Sequence, residues 1–196
     1  MKYIKFLLAL LLLPTVALAD GWDTQYKQIE RSIRQPQFGD KVFNITKYGA
    51  STKATAAANQ KAINKAIDAC SKAGGGRVVI PEGTFNTGAI TLMSKVNLHV
   101  KKGAVLQFVF QPELYPIVPT RWEGLDCYNL QPCIYAYKQN DVAITGEGII
   151  DGGGENATWW KWCGKDHYGW KPGEVGQNMG ARARLLKYAE DGVDMK

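Results

Sequence analysis

An all-β domain fronted by one amphipathic helix is the fold class that this sequence predicts. Three observations predict it. Apolar residues first recur at spacings of three and four, in Ala62, Ile63, Ala66, Ile67 and Cys70. That stripe stops at Gly74-Gly75-Gly76. Beyond it the apolar period falls to two, in short segments divided by glycine-bearing turns.

The elements follow in order. Residues 20–40 are polar, with Trp22 and Tyr26 as anchors, and read as an arm or a short helix. Val42-Phe43-Asn44-Ile45 opens the ordered part as a strand. The helix covers 59–73. Lys61, Asn64, Lys65, Asp68 and Lys72 lie off its apolar stripe, so one face must cover something apolar. Strands are expected at 77–80, 84–87, 89–92, 96–100, 104–108, 134–137, 142–145 and 148–151. A Pro-rich loop is expected over 111–132. Periodicity alone does not separate sandwich, barrel and solenoid, although the lack of Asn-Gly dipeptides leans away from hairpins. From Gly152 an aromatic loop holds Trp159, Trp160, Trp162, His167, Tyr168 and Trp170, and a helix starts near Ala181.

The 196 residues are 45% hydrophobic and 21% charged, which excludes collagen-like, low-complexity and largely disordered chains. Formal net charge is +6. Without the first 19 residues, which hold two lysines and no acid, 22 basic residues face 18 acidic ones, a balance of +4. A mild positive excess suits a polyanion. No run of like charge marks a nucleic-acid tail, so no nucleic-acid partner is expected.

Lys2 and Lys5, the apolar run 6–13, Pro14 and Ala17-Leu18-Ala19 have the pattern of a secretory leader cleaved before Asp20. A secreted or periplasmic protein is expected, with no stable membrane anchor, since no cysteine follows the cleavage site. Cys70, Cys127, Cys133 and Cys163 would then meet an oxidising compartment. No Cys-x-x-Cys occurs, so no metal is expected. Cys70 lies on the helical stripe and reads as a buried thiol. Cys127 paired with Cys133, or with Cys163, is the expected bridge.

Four stretches carry a family resemblance. They are Phe43-Asn44-Ile45-Thr46-Lys47-Tyr48-Gly49-Ala50 with the helix and triple glycine of 59–76; Val78-Val79-Ile80-Pro81-Glu82-Gly83-Thr84-Phe85 continuing through 92–108; Tyr115-Pro116-Ile117-Val118-Pro119-Thr120-Arg121-Trp122-Glu123-Gly124; and Val142-Ala143-Ile144-Thr145-Gly146-Glu147-Gly148-Ile149-Ile150-Asp151-Gly152. The chain here resembles the N-terminal part of bacterial members of glycoside hydrolase family 28, the polygalacturonases, within the pectin-lyase-like superfamily. The likeness runs roughly over 42–162. The first two stretches speak for fold, the last two more narrowly for the family. Where members often show an acidic, glycine-containing loop, this chain reads Ser51-Thr52-Lys53-Ala54-Thr55.

The resemblance implies a right-handed parallel β-helix with an N-terminal capping helix, only its first turns being present. With the leader at 1–19 and the arm at 20–40, it leaves 41–196 as a portion of the β-helix domain. It implies hydrolysis of α-linked galacturonic acid with inversion, no cofactor, and pectin or oligogalacturonate as partner. The family's Asn-Thr-Asp, Asp-Asp, Gly-His-Gly and Arg-Ile-Lys signatures are absent from these residues. They are expected beyond Lys196, in a protein about twice as long, so no catalytic residue is assigned.

Arg121 and Trp122 are candidate substrate contacts, because a guanidinium fork suits a uronate carboxylate and an indole face suits a sugar ring. The bland alternative is an Arg–Glu pair with a packed Trp. Trp159 and Trp160 are candidate sugar platforms, although adjacent aromatics usually split between core and surface. Glu147, Asp151 and Glu155 imitate a carboxylate cluster but read as solvated turn residues. His99 and His167 lack a nearby nucleophile or metal spacing. Two other readings remain: a polysaccharide lyase on the same fold, and a non-catalytic β-helix that binds acidic polysaccharide.

Overall fold

The computed structural model describes residues 20–177 and 179–194, and the expected leader lies outside them. The chain divides into two units, 1–35 and 36–196. In the first, helix α1 (Asp20–Ser32) carries Trp22, Tyr26 and Ile29 along one face.

The second unit opens on β1 (Val42–Asn44). The Asn44 side chain accepts from the Thr46 N–H and starts a 3-10 turn, Ile45–Tyr48, which ends at Gly49 in the left-handed region. Helix α2 (Ala56–Lys72) begins a turn earlier than its apolar stripe because the Thr55 hydroxyl accepts from the Ala58 N–H. All five expected stripe residues are buried, together with Ala56 and Asn59. Asn59 clamps this helix to the strands: its side chain bonds the Ser51 N–H and the Ser51 and Asn86 carbonyls at 2.9–3.0 Å.

Ten strands follow: β2 (Gly76–Ile80), β3 (Gly83–Thr87), β4 (Ile90–Thr91), β5 (Val96–Val100), β6 (Ala104–Phe108), β7 (Ile117–Trp122), β8 (Leu125–Leu130), β9 (Ile134–Tyr135), β10 (Ala143–Gly146) and β11 (Ile149–Asp151). All but β7 and β8 form parallel ladders, in the orders β1-β2-β5-β10, β3-β6-β11 and β4-β9. Successive passes of the chain add one strand to each ladder in turn, so this is a parallel β-helix. Gly76 lies opposite Val96, which makes one coil twenty residues long. The next coil is longer, with Asn97 opposite Ala143, because a hairpin leaves it.

That hairpin corrects the expected loop over 111–132. β7 and β8 pair antiparallel through a turn at Glu123 and Gly124, both at positive φ (49° and 87°). The turn geometry is the one that Asn-Gly favours, met here by Glu-Gly. Pro119 lacks an N–H but is tolerated in a two-stranded ribbon, which has no central strand.

Inward side chains stack from coil to coil. Val78, Leu98 and Ile144 are in register, as are Phe85, Leu106 and Ile150. Helix α2 packs against β1, β2, β3 and β4 and closes one end. The other end stays open: Ile144 and Ile150 are 47% and 41% exposed, whereas Leu98 and Leu106 are fully buried.

Cys70 sits at 0% exposure on the inner face of α2, and burial pushes its thiol from 9.0 up to about 11. The folded chain therefore keeps a proton that the unfolded chain has released. Stability present below pH 9 should be lost as pH rises toward 11, by about 2 kcal/mol. Urea midpoints measured across that range should fall for the parent and fall less for Cys70→Ala. Equal slopes would mean that Cys70 plays no part.

Candidate functional site

A cleft of about 550 Å³ opens where four segments meet. The hairpin supplies Trp122, Cys127, Tyr128 and Asn129. A 3-10 turn, Trp159–Cys163, supplies Trp162 and Cys163. The loop 175–177 and helix α3 (Ala181–Glu190) close the remaining sides, with Gln177, Arg182 and Leu185 on the wall.

Local chemistry holds each segment in place. The Thr158 hydroxyl donates to the Gly153 carbonyl at 2.6 Å and accepts from the Glu155 N–H at 3.0 Å, which sets the entry to the 3-10 turn. Gln177 ties the loop to that turn: its N–H donates to the Trp162 carbonyl (2.9 Å) and its side-chain amide to the Cys163 carbonyl (3.1 Å). Glu174 folds the same loop by accepting from the Lys171 N–H at 3.0 Å. This bond, helped by Lys161 at 3.6 Å, holds its carboxyl below the usual range. Arg182 on α3 reaches the hairpin tip, donating from Nε (3.1 Å) and Nη2 (2.7 Å) to one oxygen of Glu123. Its guanidinium carbon lies 5.7 Å from the centre of the Trp122 ring.

The expected contact residues separate. Trp122 faces the cleft. Arg121, its neighbour on β7, lies outside it, as strand alternation requires. Arg121 pairs with its cross-strand partner Asp126 at 2.9 Å, donates to the Gly124 carbonyl, and borders a second depression with Tyr135 and Tyr137. Trp159 packs edge-on against Phe110, Tyr115 and Trp162, at centroid distances of 4.7, 5.0 and 5.3 Å. Its indole nitrogen is buried without a hydrogen-bond partner among the described residues. Trp160 is 52% exposed, near Tyr168. The aromatic segment thus packs on the solenoid flank and leaves Ile144 and Ile150 uncovered.

Glu147, Asp151 and Glu155 are exposed, and Asp151 accepts from the Gly153 N–H. His99 meets the Thr145 hydroxyl at 2.9 Å, and the His167 ring lies against Tyr168 at a 43° tilt. Among the described residues, no three His, Cys, Asp or Glu side chains gather as a metal site, and no helix is long and apolar enough to cross a membrane.

The expected bridge does not form: all four cysteines are free thiols. Burial raises the thiol pKa of Cys133, beside Tyr115, whose hydroxyl donates to the Val109 carbonyl. Cys127 lines the cleft with Cys163 instead. Sequence reasoning missed Arg182 and Tyr128. Arg182 carries no local signal, since its carboxylate partner is 59 residues away.

No family model matches the chain. It is 36% identical over 122 residues to an exo-poly-alpha-D-galacturonosidase of Dickeya chrysanthemi, a match covering 58% of this chain and 20% of the relative. A hyperthermoactive exopolygalacturonase from Thermotoga maritima superposes with a TM-score of 0.81 at 38% identity, over 89% of this chain and 38% of that one. A family 28 exopolygalacturonase from Yersinia enterocolitica gives 0.50 at 31% identity, over 58% and 21%. The chain spans a fifth to two fifths of these relatives and is polygalacturonase-like where they align.

Proposed function

We propose that this polygalacturonase-like chain, similar to exopolygalacturonases of glycoside hydrolase family 28, is part of a secreted hydrolase acting on the α-linked galacturonic acid of pectin. The superposition on the Thermotoga maritima exopolygalacturonase, at 38% identity over 89% of this chain, carries the reading. The relatives' names favour release from a chain end. In this reading the β-helix is right-handed and of the pectin-lyase type, α2 is its cap, and residues 1–19 direct export. Hydrolysis with inversion needs one carboxylic acid to protonate the leaving oxygen and one carboxylate to activate water, roughly 6.5–9.5 Å apart. That pair belongs to a longer protein, because the family signatures are absent from these 196 residues.

The residues present serve the sugar. Trp122 and Trp162 offer indole faces in the cleft, and Trp160 and Arg121 offer contacts outside it. Trp159 supports them by packing.

The test is product analysis with polygalacturonate. The longer protein should release reducing sugar of inverted anomeric configuration, and residues 20–196 alone should release none. An unsaturated, ultraviolet-absorbing product would identify a lyase instead. Turnover by residues 20–196 would return Glu147, Asp151 and Glu155 to consideration.

A further inference from the structure

The cleft contains a guanidinium, and the chain already answers it with a carboxylate of its own. Arg182 gives two of its five N–H groups to one oxygen of Glu123. The pair is not sealed in: both side chains are 46% exposed. Glu123 stands at the tip of a two-residue turn, at positive φ, where a side chain can leave without moving a strand. Around it the cleft offers Trp122, Trp162 and Tyr128 as flat walls and Asn129 as a polar group.

We infer that this cleft binds one uronate residue, whose carboxylate displaces Glu123 from Arg182 while its ring lies on an indole face. This rests on the reading that the substrate is an acidic polysaccharide. The exchange conserves charge. An exposed ion pair is worth little, so losing Glu123 is a small penalty. The incoming carboxylate brings a stacking sugar ring, which Glu123 lacks. A neutral sugar brings no carboxylate and leaves Arg182 held by Glu123. Glu123 is therefore a competitor that an anionic ligand must displace from Arg182 and that a neutral sugar leaves in place.

Tryptophan fluorescence titration of the chain with oligogalacturonate, beside neutral galactose oligomers of equal length, tests this. Arg182→Gln should weaken oligogalacturonate binding by about 10-fold or more, the scale of one charge-assisted hydrogen bond, without changing neutral-sugar binding. Glu123→Gln should tighten oligogalacturonate binding several-fold. A merely structural ion pair predicts the reverse, because its loss loosens α3 and the cleft wall. Unchanged or weaker binding by Glu123→Gln overturns the inference, as does equal affinity of the parent for neutral and acidic oligomers. Should Arg182→Gln unfold, the Glu123→Gln titration decides alone. Hydrolysis by the longer protein is measured separately. Hydrolysis without carboxylate exchange sinks this inference only, and exchange without hydrolysis sinks only the proposed reaction.

Discussion

Gly146→Ala is expected to lower stability by about 3–5 kcal/mol, enough to unfold much of a marginally stable chain. Gly146 is the last residue of β10 and lies opposite Val100 on β5. Its φ is +106°, and an added Cβ would stand 1.9 Å from the Val100 carbonyl oxygen and 2.7 Å from its carbon. Neither atom can step aside, because both are backbone within the ladder. That oxygen also accepts the Gly148 N–H at 3.0 Å, so moving it breaks the corner between β10 and β11. Strain at φ and a backbone clash therefore act together. Gly152→Ala is the control: nothing lies within 4 Å of its would-be Cβ, and its φ is not in the left-handed region. Urea unfolding should show a large fall in midpoint for the first variant and almost none for the second. Parity between them would mean that the corner is soft and that β10 is not held in this register.

Phe85→Ala should cost about 3–5 kcal/mol, by loss of buried apolar surface and by the cavity left behind. Phe85 is 2% exposed and stacks in register with Leu106 on the next coil. It lies on β3, the strand against which α2 packs most extensively. Its removal empties the junction between cap and first coil, where a rigid helix and a hydrogen-bonded ladder limit collapse. Phe85→Leu keeps most of the volume and should lose less than half as much. Thermal melts of the two variants would order them. Equal losses would point to ring geometry, not volume, as the quantity that matters.

The cap helix was legible because a stripe at 3.6-residue spacing and a triple glycine are both local signals, whereas its start at Ala56 under a Thr55 cap was not foreseen. The nine expected strands reappear as ladder strands for the same reason, since their extended pattern is written into neighbouring residues. The hairpin was not legible. Pro119 argues against a strand, and Glu123-Gly124 is an uncommon way to reach a turn with two positive φ angles. Its pairing is what divides Arg121 from Trp122. Read along the chain they are adjacent, but on a strand they serve opposite faces. The two halves of the expected Arg–Glu pair likewise take different partners: Arg121 takes Asp126 and Glu123 takes Arg182.

By itself, then, the sequence determined where the chain is helical, where it is extended, which side chains turn inward and which relatives it resembles. These properties depend on residues a few positions apart. Parallel stacking was legible only through the family resemblance and not from any local pattern, because the pairing of Asn97 with Ala143 spans 46 residues and has no local trace. The tertiary structure alone decided that all four thiols stay free, and that the end of the solenoid away from α2 exposes Ile144 and Ile150. It also assembled the cleft, bringing Trp122, Trp162 and Arg182 together from a hairpin, a 3-10 turn and a helix. The physical reason is the same in each case. Periodicity records which face of an element is apolar, but which faces meet is settled by long-range packing and hydrogen bonding, and a binding surface is made where they meet.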